Sequence, residues 1–157
     1  MQRKDYAIRP ISPQTLDEAM RLVWRTFQEF EAPDYGPKGL ETFHAFLQSP
    51  ETRANFESGQ NRILGCFSHG KIIGVTAMRS ATHISLMFVA KEYHRQGVGR
   101  ALLQALFSLC RAQGIEELTL NASPYGLGFY HKIGFIATGA EREEDGIRYT
   151  PMKYRLI

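Results

Sequence analysis

The chain has 157 residues, a length that favours one domain and lets it bury roughly 70% of the surface its unfolded chain exposes, so folding needs neither disulfides nor a metal. Hydrophobic residues at 43% and charged residues at 22% are ordinary for a globular protein, and 19 Lys+Arg against 16 Asp+Glu leave +3, too mild to argue for a nucleic-acid partner. Cys66 and Cys110 cannot build a disulfide framework or a zinc site, no apolar run approaches the roughly 18 residues of a membrane span, and Met1-Gln2-Arg3-Lys4-Asp5 lacks a signal peptide's apolar core, so a soluble, cytoplasmic protein with no membrane partner is expected.

Tyr6 to Ile11 alternates apolar and polar residues and reads as a first strand. Ser12-Pro13 reads as a helix start, with Ser12 as N-cap and Pro13 at the first helical position. Leu16, Ala19, Met20, Val23, Trp24 and Phe27 then predict a helix to about Phe30. Glu31 to Pro37 is a loop by its Pro, Asp and Gly content. A second helix is expected around Leu40 to Leu47, while Ser49 to Gly59 reads equally as loop or weak helix. Arg62 to Ser68 and Lys71 to Arg79 form a hairpin through Ser68-His69-Gly70, and another strand runs from His83 to Val89.

Val98, Ala101, Leu102, Ala105, Leu106, Leu109 and Cys110 mark the clearest helix, stopped at Gly114. A short strand at Leu118 to Leu120 follows, then a short helix from Leu127 to Ile133 ended by Gly134. Phe135 to Ala140 and Ile147 to Leu156 are the last strands, joined by the charged turn Glu141 to Gly146. Neither linker nor repeat divides the chain, and the order describes one mixed α/β sheet with helices on its faces.

The informative segment is Val89 to Leu103: a strand end, a short basic loop with Gly97 and Gly99, then the strongest helix. N–H groups at a helix start lack intrahelical partners and carry the positive end of the dipole. Glycines at these positions let a phosphate approach, and Arg95 and Arg100 add charge, which suits a diphosphate. The competing reading is a plain helix start whose glycines serve the turn. A P-loop is excluded because its Lys and spacing are absent. A dinucleotide fingerprint is excluded because its third glycine would fall on Leu102.

The run Ile84 to Leu103 resembles motif A of the GNAT superfamily of N-acetyltransferases: a strand, a loop of the form Arg/Gln-x-x-Gly-x-Gly/Ala, and a helix. Gly97 and Gly99 match the small positions; His94 stands at the Arg/Gln position, with Arg95 beside it. Asn121 to Phe135 resembles the family's second signature, a strand end and a helix closing on Phe-Tyr-x-x-x-Gly-Phe. The two signatures occur in family order, and the resemblance covers nearly the whole chain. It implies one acetyltransferase domain over residues 1–157, with a mixed, mostly antiparallel central sheet flanked by helices.

The resemblance also implies acetyl-CoA as donor, a primary amine as acceptor, direct attack, and no metal. On it, His94, Arg95, Gln96, Gly97, Val98, Gly99 and Arg100 would hold the pyrophosphate; Met87, Phe88 and Val89 would hold the pantetheine arm and carbonyl; Asn121 would contact that arm. Tyr130 falls at the general-acid position. A tyrosine near ~10 is a weaker acid than a thiol near ~8.5, so Tyr130 is expected to assist and to position rather than to be indispensable. The base is expected at His83, alternating with Ser85 on one face against Ile84 and Leu86, with loop carboxylates as competitors.

Glu29, Glu31 and Asp34 lie in the acceptor-binding region of the family and would attract a small cationic amine. The other reading of these carboxylates is a solvated acidic turn. The family's frequent dimerisation leaves a homodimer open. A non-catalytic acyl-CoA-binding module and a protein N-terminal or lysine acetyltransferase are the alternative activities.

Overall fold

The computed structural model describes residues 5–157, and the expectation placed on Met1 to Lys4 lies outside them. Strand β1 is Ala7–Pro10. The Ser12-Pro13 start opens a single 3-10 turn, Pro13–Thr15, in which Thr15 N–H donates to the Ser12 carbonyl (3.0 Å). Helix α1 proper is therefore Leu16–Phe30, three residues later than the Pro signal suggests.

Helix α2, Pro37–Gln48, starts earlier than its apolar residues do, because Pro37 occupies its first position after the N-cap Gly36. The ambiguous Ser49 to Gly59 segment holds a third helix, α3, Pro50–Glu57. Ser49 Oγ accepts from Thr52 N–H (3.4 Å) at its start, and Phe56 is its one buried residue, so no periodicity marked it.

Strands β2 (Ile63–Ser68), β3 (Lys71–Met78) and β4 (His83–Val89) form an antiparallel meander. The first hairpin turns on His69 and Gly70, at φ 51° and 76°, a left-handed pair suited to a two-residue turn. Helix α4 (Val98–Ala112) crosses to β5 (Glu117–Ala122), which lies parallel to β4. Helix α5 is Leu127–Ile133.

The last expected strand pair is more divided. Only Ile136–Ala137 (β6) of Phe135 to Ala140 is strand, and the charged turn contains a further strand, β7 (Arg142–Glu144). It pairs with β8 (Ile147–Arg155) through Asp145 and Gly146, at φ 51° and 80°. Arg142, Glu143 and Glu144 are all exposed, so no apolar alternation signalled this strand. The sheet runs β1-β2-β3-β4-β5-β8-β6, antiparallel except at β4–β5.

Two cores lie on opposite faces of the sheet. On one, Leu16, Val23 and Phe27 of α1 pack on Val75, Ala77, Leu86 and Phe88. On the other, Leu102, Leu106 and Cys110 of α4 pack on Cys66, Ile73, Met78 and Ile84. Both cysteines are buried and unpaired. Gly74 permits the close approach of α4: a Cβ there would stand 2.9 Å from Leu102 Cδ1 and 3.2 Å from Val98 Cγ1.

One residue breaks the strand alternation. Ala77 pairs with Leu86 and Met78 with Ile84, so Ser85 is the extra residue of a β-bulge. The expected sharing of one face by Ile84 and Leu86 fails there. Ile84 joins the α4-side core, whereas Leu86 and Phe88 join the α1-side core.

The β7–β8 turn docks on α2. Thr42 Oγ1 donates to the Asp145 carbonyl (2.6 Å), and Gly39 meets Gly146 backbone to backbone. A Cβ on Gly39 would overlap the Gly146 carbonyl and stand 2.7 Å from Tyr35 Cβ. Gly39→Ala should therefore cost about 2 kcal/mol, lowering Tm by several degrees in calorimetry; an unchanged Tm would show that the turn yields freely.

Candidate active site

Strands β4 and β5 are paired only at His83–Thr119 and Ile84–Leu120. Beyond those two pairs β5 runs with β8 and leaves the rest of β4 without a partner on that edge. Backbone parity follows from one bond: Ala90 N–H donates to the Ile73 carbonyl (2.8 Å). Residues of an antiparallel strand turn their backbone groups to alternate edges. Leu86 and Phe88 therefore face β3, while the N–H and C=O groups of Met87 and Val89 face the gap. The His94 ring confirms the orientation, since its Nε2 lies 2.7 Å from the Val89 carbonyl. That carbonyl can only accept, so the ring proton sits on Nε2.

The loop after β4 carries two residues in left-handed conformation, Arg95 at φ 62° and Gly97 at φ 81°. For Gly97 this costs nothing; for Arg95 it is a strained backbone held by the fold. The first bond into α4 is Ala101 N–H to the Gly97 carbonyl (3.0 Å), which leaves the N–H groups of Val98, Gly99 and Arg100 without intrahelical acceptors. Together with the dipole of a 15-residue helix, they form an anion-binding end. Gly99 has a second reason to lack a side chain: its Cβ would stand 3.1 Å from Phe129 Cζ and 3.4 Å from Met87 Cε.

A cleft of about 460 Å³ joins these features, lined by Met87, Phe88, Val89, His94, Arg95, Gly97, Val98, Gly99 and Arg100, with Tyr130 at its inner end. Gln96 is not on this wall; its side chain donates to the Glu92 carbonyl (3.0 Å). The His94 ring is turned inward, bonded to Val89 and packed on Phe30 (4.7 Å between centroids), so it serves as wall. Phe30 also meets Tyr125 at 5.3 Å, bringing the end of α1 against the β5–α5 loop across the cleft.

A second cleft of about 260 Å³ opens on the α1–α2 side of β4. The two share Glu31, Met87, Phe88, Ser123 and Tyr130. At this junction Ser123 follows β5 directly and accepts, through Oγ, from Gly126 N–H (3.0 Å). Its hydroxyl faces the Glu31 carboxyl and the Tyr35 phenol.

Burial pushes Glu31 from the usual 4.5 up to about 7; Asp34 adds to the rise and the Ser123 hydrogen bond opposes it. Burial also raises Tyr130 far above the usual phenol range, and Glu31 and Tyr35 raise it further. Tyr35 is raised by burial and by the same carboxylates.

The carboxylates of the acidic loop separate. Glu31 stands at the junction, Glu29 pairs with Lys91 (3.0 Å), and neither Glu29 nor Asp34 lines either cleft. His83 lines the second cleft, away from the junction, with Nδ1 2.7 Å from Thr119 Oγ1. Burial, then the Arg79 charge, hold His83 down to about 4, so it is neutral at pH 7. Asn121 is exposed and lines the second cleft rather than the larger one. Ser123 and Tyr35 carried no functional signal in sequence. A Ser three residues before Gly126 reads only as a cap, and Tyr35 only as a loop aromatic.

Among the described residues, no group of three or more His, Cys, Asp or Glu side chains could hold a metal ion, and no helix is long and apolar enough to cross a membrane.

Residues 31–156 match the family model of the acetyltransferase (GNAT) domain, so the chain belongs to the GNAT family. Its fold is similar to that of a GCN5-related N-acetyltransferase from Rhodopseudomonas palustris, with a TM-score of 0.84 and 24% identity over 99% of this chain and 98% of that one. It is also similar to the PaiA N-acetyltransferase of Thermoplasma acidophilum, solved in complex with coenzyme A, with a TM-score of 0.81 and 19% identity over 97% and 99% of the two chains. The uncharacterized N-acetyltransferase YitH of Bacillus subtilis is 29% identical over 126 residues, 79% of this chain and 40% of YitH. The chain spans about half or less of the length of the curated relatives it matches.

Because Glu31 binds its proton more tightly in the folded chain, its contribution to stability is full below 4.5 and is lost as pH rises through about 7. Glu31→Gln should thus be more stable than the parent at pH 8, by about 1–2 kcal/mol after allowance for partial solvent access. The difference should close by pH 4.5 in urea titrations; a constant difference at both pH values would show that Glu31 titrates normally.

Proposed function

We propose that the chain transfers an acetyl group from acetyl-CoA to a primary amine of a small molecule, by direct attack at the junction of the two clefts. The observation that carries this reading is the continuity of the parted β4 edge, from the open N–H groups of α4 to Glu31 and Tyr130, with a separate cleft arriving from the other side. The residues present fit the donor. Open N–H groups of α4, with Arg95 and Arg100, suit a pyrophosphate. The Met87 N–H and C=O and the Val89 N–H suit an amide-containing arm that adds to the strand edge, while the Val89 carbonyl is held by His94. Bound there, acetyl-CoA would supply a thioester carbonyl beside the junction.

The unpaired backbone N–H groups of β4 would stabilise the oxyanion as the amine nitrogen bonds to the carbonyl carbon. Glu31, ionised, would take the proton that the nitrogen loses. Its raised value of about 7 makes it a stronger base than His83 at about 4, and it is the carboxylate that both clefts share. The C–S bond then breaks, and the thiolate leaves with a hydrogen bond from the Tyr130 hydroxyl. Reference values already make proton transfer from Tyr to thiolate uphill by ~1.5 units, and burial widens that gap. Tyr130 therefore orients and stabilises the sulfur, and the net proton passes from nitrogen to sulfur through Glu31. The reading includes a cytoplasmic setting, which two buried, unpaired thiols suit.

Calorimetric titration should show acetyl-CoA binding to the wild type. Gly99→Leu, which fills the space beside Phe129 and Met87, should weaken it at least about tenfold; no binding to the wild type would end the donor assignment. With thiol release as readout, kcat/KM should rise through an apparent pKa near 7, from Glu31. Glu31→Gln should lower the rate about 100-fold and flatten that limb, while Tyr130→Phe should lower it about tenfold. A Glu31→Gln enzyme with an unchanged profile would remove the base.

A further inference from the structure

The second cleft runs beside β4, from Met87 and Phe88 at the junction to His83 at the start of the strand. The four residue steps from His83 to Met87 span roughly 13 Å. Its charges stand at opposite ends. Glu31 is the one carboxylate on its lining and Arg79 the one guanidinium. Arg79 follows β3 directly, and its backbone N–H donates to the His83 carbonyl (3.0 Å). Its side chain is exposed and, among the described residues, belongs to no ion pair.

Between the ends the wall is mainly aromatic and apolar, with Thr42 and Ser85 as its aliphatic hydroxyl groups. Phe27 and Phe43 stack at 4.1 Å, and Phe46, Ile147 and Tyr149 complete it. Glu29 and Asp34 lie off this wall, so the cleft is not the acidic basin a polycation would select. A second ammonium at the far end would meet a like charge on Arg79.

We infer that the acceptor is an elongated primary amine with an apolar, preferably aromatic, middle and an anionic group at the end distal to the amine, recognised by Arg79. The inference rests on the proposed acetyl transfer and names its substrate class. The amine end reaches Glu31 and Tyr130, and the ring lies against Phe43 and Phe46. The anion, carboxylate or phosphate, gains charge-assisted hydrogen bonds from the guanidinium fork. Asn121 of β5, midway between Thr119 and the junction residue Ser123, supplies a further amide on the same lining. Steering by opposite charge also favours such a substrate over a neutral analogue at low salt.

Four amines of matched shape test this in the thiol-release assay: phenethylamine, 4-(2-aminoethyl)benzoate, O-phosphotyramine and the dication 4-(2-aminoethyl)benzylamine. In the wild type an anionic probe should exceed phenethylamine about tenfold in kcat/KM, with the dication poorest. Which anion leads, carboxylate or phosphate, distinguishes the two sources. Arg79→Gln should bring the anion-to-neutral ratio near one, and Arg79→Glu should invert it toward the dication. A wild-type ratio near one, or a preference that survives Arg79→Gln, overturns the inference while amine acetylation stands. If acetyl-CoA binds but none of the four amines releases thiol, the acetyl-transfer reading fails. The anion preference is then read from calorimetric binding of the same probes to the CoA-loaded protein, where equal affinities overturn it.

Discussion

The parting of β4 from β5 after Ile84 and Leu120 is the constraint on which the rest of the structure depends. A parallel pair that stayed zipped would satisfy the backbone of Met87 and Val89 and leave no cleft. Backbone groups without partners cost free energy only where water and ligand cannot reach them. Here the gap opens to a solvent-accessible groove, so they stay open cheaply. Elements on both faces hold it apart: the end of α1, with Thr26, Phe30 and Glu31, on one side, and Phe129 and Tyr130 of α5 on the other. Helix α4 is the crossover that a parallel pair requires. Its N-terminus, set at the C-terminal end of β4, thereby lies at one end of the same groove.

The closure that builds the junction also sets its electrostatics. Helix α1 ends at Phe30, and the next residue, Glu31, is carried inward toward Ser123 while Glu29 stays on the outer face with Lys91. Burial then raises the carboxyl and both phenols, and the Glu31 charge raises the phenols further. The outer wall of the second cleft is held in the same manner, by backbone proximity. Gly39 against Gly146, with the Thr42 hydrogen bond to the Asp145 carbonyl, ties α2 to the β7–β8 turn. Side chains on two distant stretches of sequence thus enclose one space.

What was legible in the sequence was local. Apolar residues at helical spacing fixed α4, and Gly97 and Gly99 marked its open end, because a left-handed residue and a side-chain-free approach are properties of single positions. Helix α3 gave no such signal, since only Phe56 is buried, and β7 gave none, since all three of its residues face solvent. The bulge at Ser85 reversed the side-chain parity of β4 through pairing with β3, which no window of β4 contains. Glu29, Glu31 and Asp34 are equivalent as a sequence pattern. They differ because the chain turns between Phe30 and Ala32 and brings one of them to Ser123, some ninety residues on. Ser123 and Tyr35 acquire meaning only from that meeting.

The shared membership of Glu31 in both clefts removes a difficulty in the chemistry. Burial makes Tyr130 a weaker acid than a free phenol, and each unit of separation from the thiol adds about 1.4 kcal/mol to proton transfer from it. On the proposed acetyl transfer, a carboxyl near 7 would hold the proton taken from the amine, and Glu31 lies on the wall of the larger cleft, where the sulfur would depart. On the proposed reading, one group therefore serves nitrogen and sulfur in turn, and Tyr130 needs only to keep its proton. The burial that weakens Tyr130 as an acid is the same burial that strengthens Glu31 as a base. The two shifts are one arrangement rather than two, and on the proposed reading proton transfer falls to the carboxyl and orientation to the phenol.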